Sequence, residues 1–158
     1  MEYNVEKKPA MTFTGYVVDI DVNKGEGFAR IPKLWNEIME KNLFSGLLKH
    51  GDDLGPVGIS YGYDMKTGNF KYMIGVRKDT NELLNTEKLH LDEQEYVMFK
   101  IIGPIPLALQ NTIKNFHSEW LPNSEYRHNG NAEIEIYSDG DTSSNDYVSY
   151  LWATIVKK

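Results

Sequence analysis

Short runs of apolar and β-branched residues, separated by polar turns, mark most of the first half of the chain as extended. Residues 3–21 are rich in strand formers, and Pro9 interrupts the run as it would at an edge position, a bulge or a strand start. Residues 57–63 and 70–76 form two further strand-like runs. Because the segment 64–69 between them is polar and contains glycine, these two runs predict a hairpin.

One segment of the first half has helical periodicity instead. Pro32 is compatible with a helix here because proline is tolerated in the first turn. The spacing predicts a helix over 31–39 whose apolar face consists of Ile31, Leu34, Trp35, Ile38 and Met39.

The second half repeats this order of elements. The patterns predict in turn a strand over 96–102, a helix over 104–120, a strand over 131–137, a polar turn over 138–146 and a closing strand over 147–156. Residues 1–158 are therefore expected to form one α+β domain of duplicated βαββ units, with halves at about 1–80 and 81–158. Two such units give antiparallel sheets, two helices and a central ligand groove where the halves meet.

Composition narrows the class of protein. A chain of 158 residues with 41% hydrophobic and 25% charged residues is typical of a globular domain. No window is apolar enough to cross a bilayer, the start has no signal-peptide pattern and cysteine is absent, so we expect a cytoplasmic protein without membrane contact. The net charge of −6 and the lack of a basic run argue against direct nucleic-acid binding and favour neutral or cationic small ligands.

The strand 132–137 carries the candidate chemistry. Side chains alternate along a strand, so Glu133, Glu135 and Tyr137 share the face opposite to that of the apolar residues. That face either meets water or turns into the groove. In the second case a carboxylate among aromatic rings would attract a cation by charge and by cation–π contact.

Aromatic side chains are abundant enough to wall such a groove. The chain has 10 Tyr, 6 Phe and 3 Trp, and several of them recur with the period of a strand. Tyr61 and Tyr63 share one face of a predicted strand, Phe70 and Tyr72 share a face of the next, and Tyr147 begins the last strand. Taken singly, each of these residues is more typical of ordinary core or sheet packing.

Other chemistries have little support in the sequence. The four histidines have no paired ligand spacing, and the segment Gly25-Glu26-Gly27 lacks the third glycine of a dinucleotide turn. There is neither a Gly-x-Ser-x-Gly motif nor a cysteine nucleophile. We therefore expect no metal and no cofactor, and Glu133 or Glu135 would be the acid or base of any catalysis.

An ordered set of segments gives the chain a resemblance to a known family. These segments are 55–61 (GPVGISY), 70–76 (FKYMIGV), 96–99 (YVMF), 119–122 (EWLP) and 133–137 (EIEIY). The chain resembles the GyrI-like superfamily, which includes the effector-binding domains of AraC-type and multidrug-responsive transcription activators. The resemblance implies the duplicated βαββ fold with a central groove.

The resemblance also implies site residues. Members bind amphiphilic, often cationic compounds on a buried Glu among aromatic residues, and this Glu corresponds to Glu135, or to Glu133 if the alignment shifts by two. The aromatic positions correspond to Tyr61, Phe70 or Tyr72, Tyr147 and, more loosely, Trp35. In the activators a DNA-binding region precedes this domain, and we expect no such region on this chain.

Three functions follow from the resemblance. The first is a stand-alone binder of amphiphilic, cationic or planar toxic compounds, in which Glu135 is the counter-charge and the surrounding residues are Glu133, Tyr61, Phe70, Tyr72, Tyr137, Tyr147, Trp35, Trp120 and Trp152. The second is a hydrolase of strained electrophilic rings with Glu135 as its catalytic residue. The third is a protein-interaction module whose partner is gyrase or a separate regulator.

Overall fold

Strands β1 to β8 and the helices follow the predicted alternation of extended and helical segments. The computed structural model describes residues 1–158. The elements are β1 (Glu2–Lys8), β2 (Met11–Ile20), α1 (Arg30–Glu40), α2 (Phe44–His50), β3 (Val57–Tyr61), β4 (Phe70–Val76), β5 (Glu87–Leu91), β6 (Gln94–Ile102), α3 (Leu107–Asn115), a π-helical segment (Phe116–Trp120), α4 (Leu121–Asn123), β7 (Tyr126–Tyr137) and β8 (Val148–Lys157).

All eight strands belong to one sheet with the order β1-β6-β8-β7-β3-β4-β2-β5, and every neighbouring pair is antiparallel. The first unit consists, in chain order, of β2, the helices α1 and α2, β3 and β4. Of its three strands, β4 lies in the middle. In the second unit, β6, α3, β7 and β8 repeat this arrangement with β8 in the middle. The two units join through β3 and β7, which confirms the predicted α+β fold of duplicated βαββ units.

Several elements differ from the prediction. The second helix begins at Leu107 instead of residue 104, because Pro104 and Pro106 lie before it, and it continues as the π-helical segment. Helix α2 and strand β5 were not predicted. Each is short: α2 has seven residues including Gly46, and β5 has five, two of them charged.

The sheet must curl because its connections are short. Strands β1 and β2 lie six places apart in the sheet order, which is about 29 Å in a flat sheet. Only Pro9 and Ala10 join them, and such a link reaches about 10 Å. The same holds for β5 and β6, which Asp92 and Glu93 connect. The two ends of the sheet therefore approach each other, and the face without helices becomes a concave interior.

The interior of the curled sheet is a core of its own. Phe13, Ile59, Met73 and Ile134 are fully buried there although no helix covers this face. Leu91 of the end strand β5 and Tyr96 of β6, which is next to the opposite end, both belong to this core. The curl thus explains how both faces of the sheet exclude water.

On the outer face, the helices leave the middle of the sheet open. Helices α1 and α2 pack on β2 and β4, with Leu34, Ile38 and Leu47 buried, and α3 packs on β6 and β8, with Leu109 buried. Strands β3 and β7 lie between these two packed regions. This arrangement produces a groove along the junction of the two units.

No helix of the protein combines the length and the apolarity that crossing a bilayer requires.

Strands β2 and β4 approach each other closely where Gly15 pairs with Gly75. A Cβ atom at Gly15 would lie 2.4 Å from the carbonyl oxygen of Ile74 and 2.7 Å from the Cα atom of Gly75. These contacts are with backbone, so a side chain cannot be accommodated by a change of rotamer.

We therefore expect Gly15→Ala to lower the free energy of unfolding by about 2 kcal/mol or more, because the added methyl group pushes two strands apart. Gly25→Ala is the matched control, because a Cβ atom there meets nothing within 4 Å. Urea unfolding measures both variants. Equal stabilities of the two variants would contradict the close approach of β2 and β4.

Candidate functional site

A cavity of about 680 Å³ occupies the groove over β7. Helices α1 and α2 form one wall and α3 forms the other, while the ends of β7 and β4 form the floor. Its principal lining residues are Ile31, Trp35, Met39, Phe44, Tyr72, Leu109, Ile113, Glu135, Tyr137 and Tyr147.

The carboxyl group of Glu135 lies at the floor of this cavity. Alternation along β7 directs Glu135 and Tyr137 outward and Ile134 and Ile136 into the concave interior. The hydroxyl groups of Tyr137 and Tyr72 both donate hydrogen bonds to Oε1 of Glu135, at 2.7 Å and 2.8 Å. The indole Nε1 of Trp35 donates to the Tyr72 hydroxyl at 3.1 Å. A chain of donors therefore runs from helix α1 to the carboxyl group.

Gly58 of β3 makes room for this hydrogen-bonded group. It is the residue directly opposite Glu135 in the sheet. A Cβ atom at Gly58 would lie 2.1 Å from the Tyr72 hydroxyl oxygen and 2.7 Å from Oε1 of Glu135. Any side chain here would displace the groups that meet at the floor.

The pKa of Glu135 is raised above its ordinary value of 4.5. Burial is the main cause, the hydrogen bonds from Tyr137 and Tyr72 act in the opposite direction, and the charge of Glu133 raises the pKa further. No Lys, Arg or His forms an ion pair with Glu135. The group can therefore hold a proton, or it can ionise when a positive charge enters the cavity.

Glu133 lies on the same face but in a separate polar cluster. Nε2 of His117 lies 3.2 Å from both of its carboxylate oxygens, Nε2 of His128 lies 3.4 Å from Oε2, and the Tyr63 hydroxyl donates to Oε2 at 3.3 Å. The side chain of Glu133 is only 13% exposed. Burial alone would raise its pKa, but the hydrogen bond from His117 and the nearby His128 ring lower it to about 2.

Two irregular backbone segments assemble this cluster. His117 belongs to the π-helical segment, and the pairing of β7 with β8 shifts register between His128 and Glu133. Such irregularities turn side chains away from the direction that regular periodicity gives them. The two histidines, scattered in the sequence, thereby converge on one carboxylate.

The structure brings together five of the residues proposed from the sequence. Trp35, Tyr72, Glu135, Tyr137 and Tyr147 all line the cavity. The hydroxyl group of Tyr147 donates to the carbonyl oxygen of Ser138 at 2.7 Å, which ties the last strand to the turn before it.

The other five proposed residues lie outside this cavity. Tyr61 and Trp152 face the concave interior, because their positions alternate with outward-facing neighbours. Trp120 packs against Phe99 and Phe116 in the core beneath α3. Phe70 packs against Phe28 and Tyr63, and Glu133 lies in the histidine cluster.

Much of the cavity wall was not proposed from the sequence. It comes from the apolar faces of the helices, namely Ile31, Met39, Phe44, Leu48, Leu109 and Ile113. Helical periodicity identifies such residues only as buried, because core residues and cavity walls follow the same spacing. Met39 and Leu48 are 53% and 49% exposed, which distinguishes them from core once the structure is known.

Comparison with known proteins gives one family and several similar structures. The model of the GyrI-like small molecule binding domain matches residues 1–155. The structure of SAV2435 bound to tetraphenylphosphonium superposes with a TM-score of 0.86 at 21% identity, covering 99% of this chain and 94% of that one. No curated protein sequence matches the chain.

Two further structures share the fold. A protein of Staphylococcus aureus MU50 described as a bacterial transcription regulation protein has a TM-score of 0.80 at 22% identity, covering 98% of each chain. The C-terminal domain of EcmrR has a TM-score of 0.59 at 12% identity, covering 99% of this chain and 98% of that one.

The histidine cluster generates a pH prediction. The hydrogen bond to Glu133 raises the pKa of His117 above 6.5, against the opposing effect of burial. In the folded state the pKa of His117 is raised and that of Glu133 is lowered, so this contact stabilises the fold most between about pH 4.5 and pH 6.5. The stabilisation is lost as the pH rises through the raised pKa of His117 or falls through the lowered pKa of Glu133. We expect Glu133→Gln to lower the pKa of His117, as followed by NMR titration of its ring protons.

The matched control is Glu119→Gln, which removes an exposed carboxylate from the same π-helical segment. This variant should leave the His117 titration unchanged. A pKa of His117 that is the same in the wild type and in Glu133→Gln would contradict the contact.

Proposed function

We propose that this chain, which belongs to the GyrI-like family of small-molecule-binding domains, binds lipophilic cations in the cavity above Glu135. The observation that carries the proposal is the carboxyl group at the cavity floor, which two tyrosine hydroxyls hold in place and no cationic side chain neutralises.

The charge of the cavity wall supports a cationic ligand. Glu135 and Asp139 line the cavity, whereas no Lys, Arg or His does. A carboxylate removed from water needs a partner charge or several hydrogen bonds, and here the hydrogen bonds reach only one of its two oxygens. A bound cation would supply the missing charge, while an anion would be repelled.

The remaining wall supports a lipophilic ligand. Apolar and aromatic side chains from α1, α2 and α3 predominate, and Trp35 meets Tyr137 edge to face with ring centroids 5.3 Å apart. Aromatic faces next to a carboxylate add cation–π attraction of about 0.5–2 kcal/mol per contact. A cavity of about 680 Å³ is within the size range of drug-sized ligands.

A ligand of this class is present in a structural neighbour. SAV2435 was determined with tetraphenylphosphonium, a compound that combines one positive charge with four aromatic rings. The neighbour shares the fold at 21% identity, and the proposal for this chain rests on its own residues. Tetraphenylphosphonium is nevertheless a suitable probe.

We expect tetraphenylphosphonium to bind the wild type with micromolar or better affinity in a calorimetric titration. Glu135→Gln should weaken binding by about 1–3 kcal/mol, the loss of a charge-assisted contact, while it keeps the shape of the side chain.

Glu133→Gln is the matched control, because it removes the same charge from the same strand face outside the cavity. Its effect on affinity should be small. If Glu133→Gln weakened binding as much as Glu135→Gln, or if Glu135→Gln bound the probe as tightly as the wild type, Glu135 would not be the counter-charge.

A further inference from the structure

A second cavity, of about 720 Å³, adjoins the first at the end of the sheet where β7 ends and β3 begins. Several of its lining residues belong to the concave face of the sheet or pack against the core there. Five residues line both cavities: Leu48, Pro56, Tyr137, Ser138 and Asp139. The two spaces are therefore neighbours that share one wall.

The part of the second cavity nearest the sheet is apolar. Met98 of β6, Tyr150 and Trp152 of β8 and Ile136 of β7 project into it from the concave face, and Leu54 reaches it from the loop before β3. These side chains belong to or pack against the interior core. The surface offered to a ligand is thus a continuation of the protein's own hydrophobic core.

Six charged residues line the second cavity, and three of them, Lys8, Asp52 and Asp53, form ion pairs within the protein. Arg77 contacts Asp52 at 2.7 Å and Asp53 at 3.3 Å. Lys8 contacts Glu6 at 3.3 Å, and its ammonium group lies 4.6 Å from the centre of the Trp152 ring. Because charges of both signs surround the apolar floor, the cavity has no clear preference for a ligand of one charge. An apolar ligand segment could lie on the floor below these charged groups.

The shared wall has an apolar part, formed by Leu48 and Pro56. Leu48 of α2 is 49% exposed and lines both spaces, and Pro56 lies at the turn into β3. We propose that the second cavity holds the alkyl tail of an amphiphilic cation whose head group is bound at Glu135. This inference rests on the proposed function and specifies its ligand class as long-tailed cations, such as alkyl quaternary ammonium ions.

The test compares ligands with and without a tail. Tetraphenylphosphonium and butyltrimethylammonium carry the cation alone, while dodecyl- and hexadecyltrimethylammonium add a tail and are titrated below their micelle-forming concentrations. Asn4→Trp narrows the second cavity from the edge strand β1, where Asn4 pairs with Met98 and lines the space. Lys7→Trp is the matched control, because Lys7 lies on the opposite face of the same strand.

In the wild type we expect each added methylene to raise affinity by about threefold to fourfold. Asn4→Trp should lower the affinity for hexadecyltrimethylammonium by about tenfold or more and change the affinity for tetraphenylphosphonium by less than about twofold. Lys7→Trp should bind both compounds as the wild type does. Met98→Gln, a near-isosteric polar replacement, provides a second variant with the same expected pattern.

The outcomes separate the two proposals. If tetraphenylphosphonium binds while Asn4→Trp and Met98→Gln leave the gain from chain length intact, the tail site is overturned and the proposed function stands. If both variants lower the affinities for cations with and without a tail equally, the tail site is overturned as well. If the wild type binds none of the cations, the proposed function fails, and the tail site fails with it.

Discussion

The site depends on a single carboxyl group that is enclosed by protein without a cationic side chain to pair with. Tyr72 and Tyr137 satisfy one oxygen of Glu135, and the pKa of the group is raised chiefly by burial. Because an unpaired buried carboxylate is costly, the group stays neutral or acquires a positive partner. Under the proposed function, this constraint is the reason why the cavity would favour a positively charged ligand.

The fold supplies the space in which this constraint operates. The two βαββ units join through β3 and β7, and their helices pack on the flanking strands, so the junction is left without a helical cover. Gly58 then allows the Tyr72 hydroxyl to reach Glu135 across the sheet. The short links that force the sheet to curl create the second cavity on the other face. Both cavities therefore follow from the topology as well as from the side chains that line them.

The sequence was sufficient for the duplicated architecture and for the face of β7 that carries Glu133 and Glu135, because both follow from regular periodicity. Periodicity could not show which of the two carboxyl groups lies in the cavity. Their difference arises from His117 and His128, which irregular segments of helix and strand bring to Glu133. Periodicity describes regular elements only, so it gives no sign of this cluster.

The aromatic residues show a similar limit. Tyr72 and Tyr61 both occupy strand positions, yet one lines the cavity and the other lies in the concave core. In a flat sheet with a single buried face, an aromatic residue on the other face would meet solvent. Here the curl buries both faces of the sheet. The curl follows from the order of the strands in the sheet together with the short links between them, and periodicity does not give that order.

The most direct test of the account is the number of protons released when tetraphenylphosphonium binds, measured by calorimetry in buffers of different ionisation enthalpy. If the cation replaces the proton on Glu135, release should approach one proton per site at pH values between the pKa of Glu135 in the complex and its raised pKa in the free protein. Release should fall toward zero well above the raised pKa and be absent in Glu135→Gln. Binding without proton release anywhere between about pH 4.5 and about pH 8, or equal release in Glu135→Gln, would contradict the claim that this buried carboxyl group is the counter-charge of the ligand.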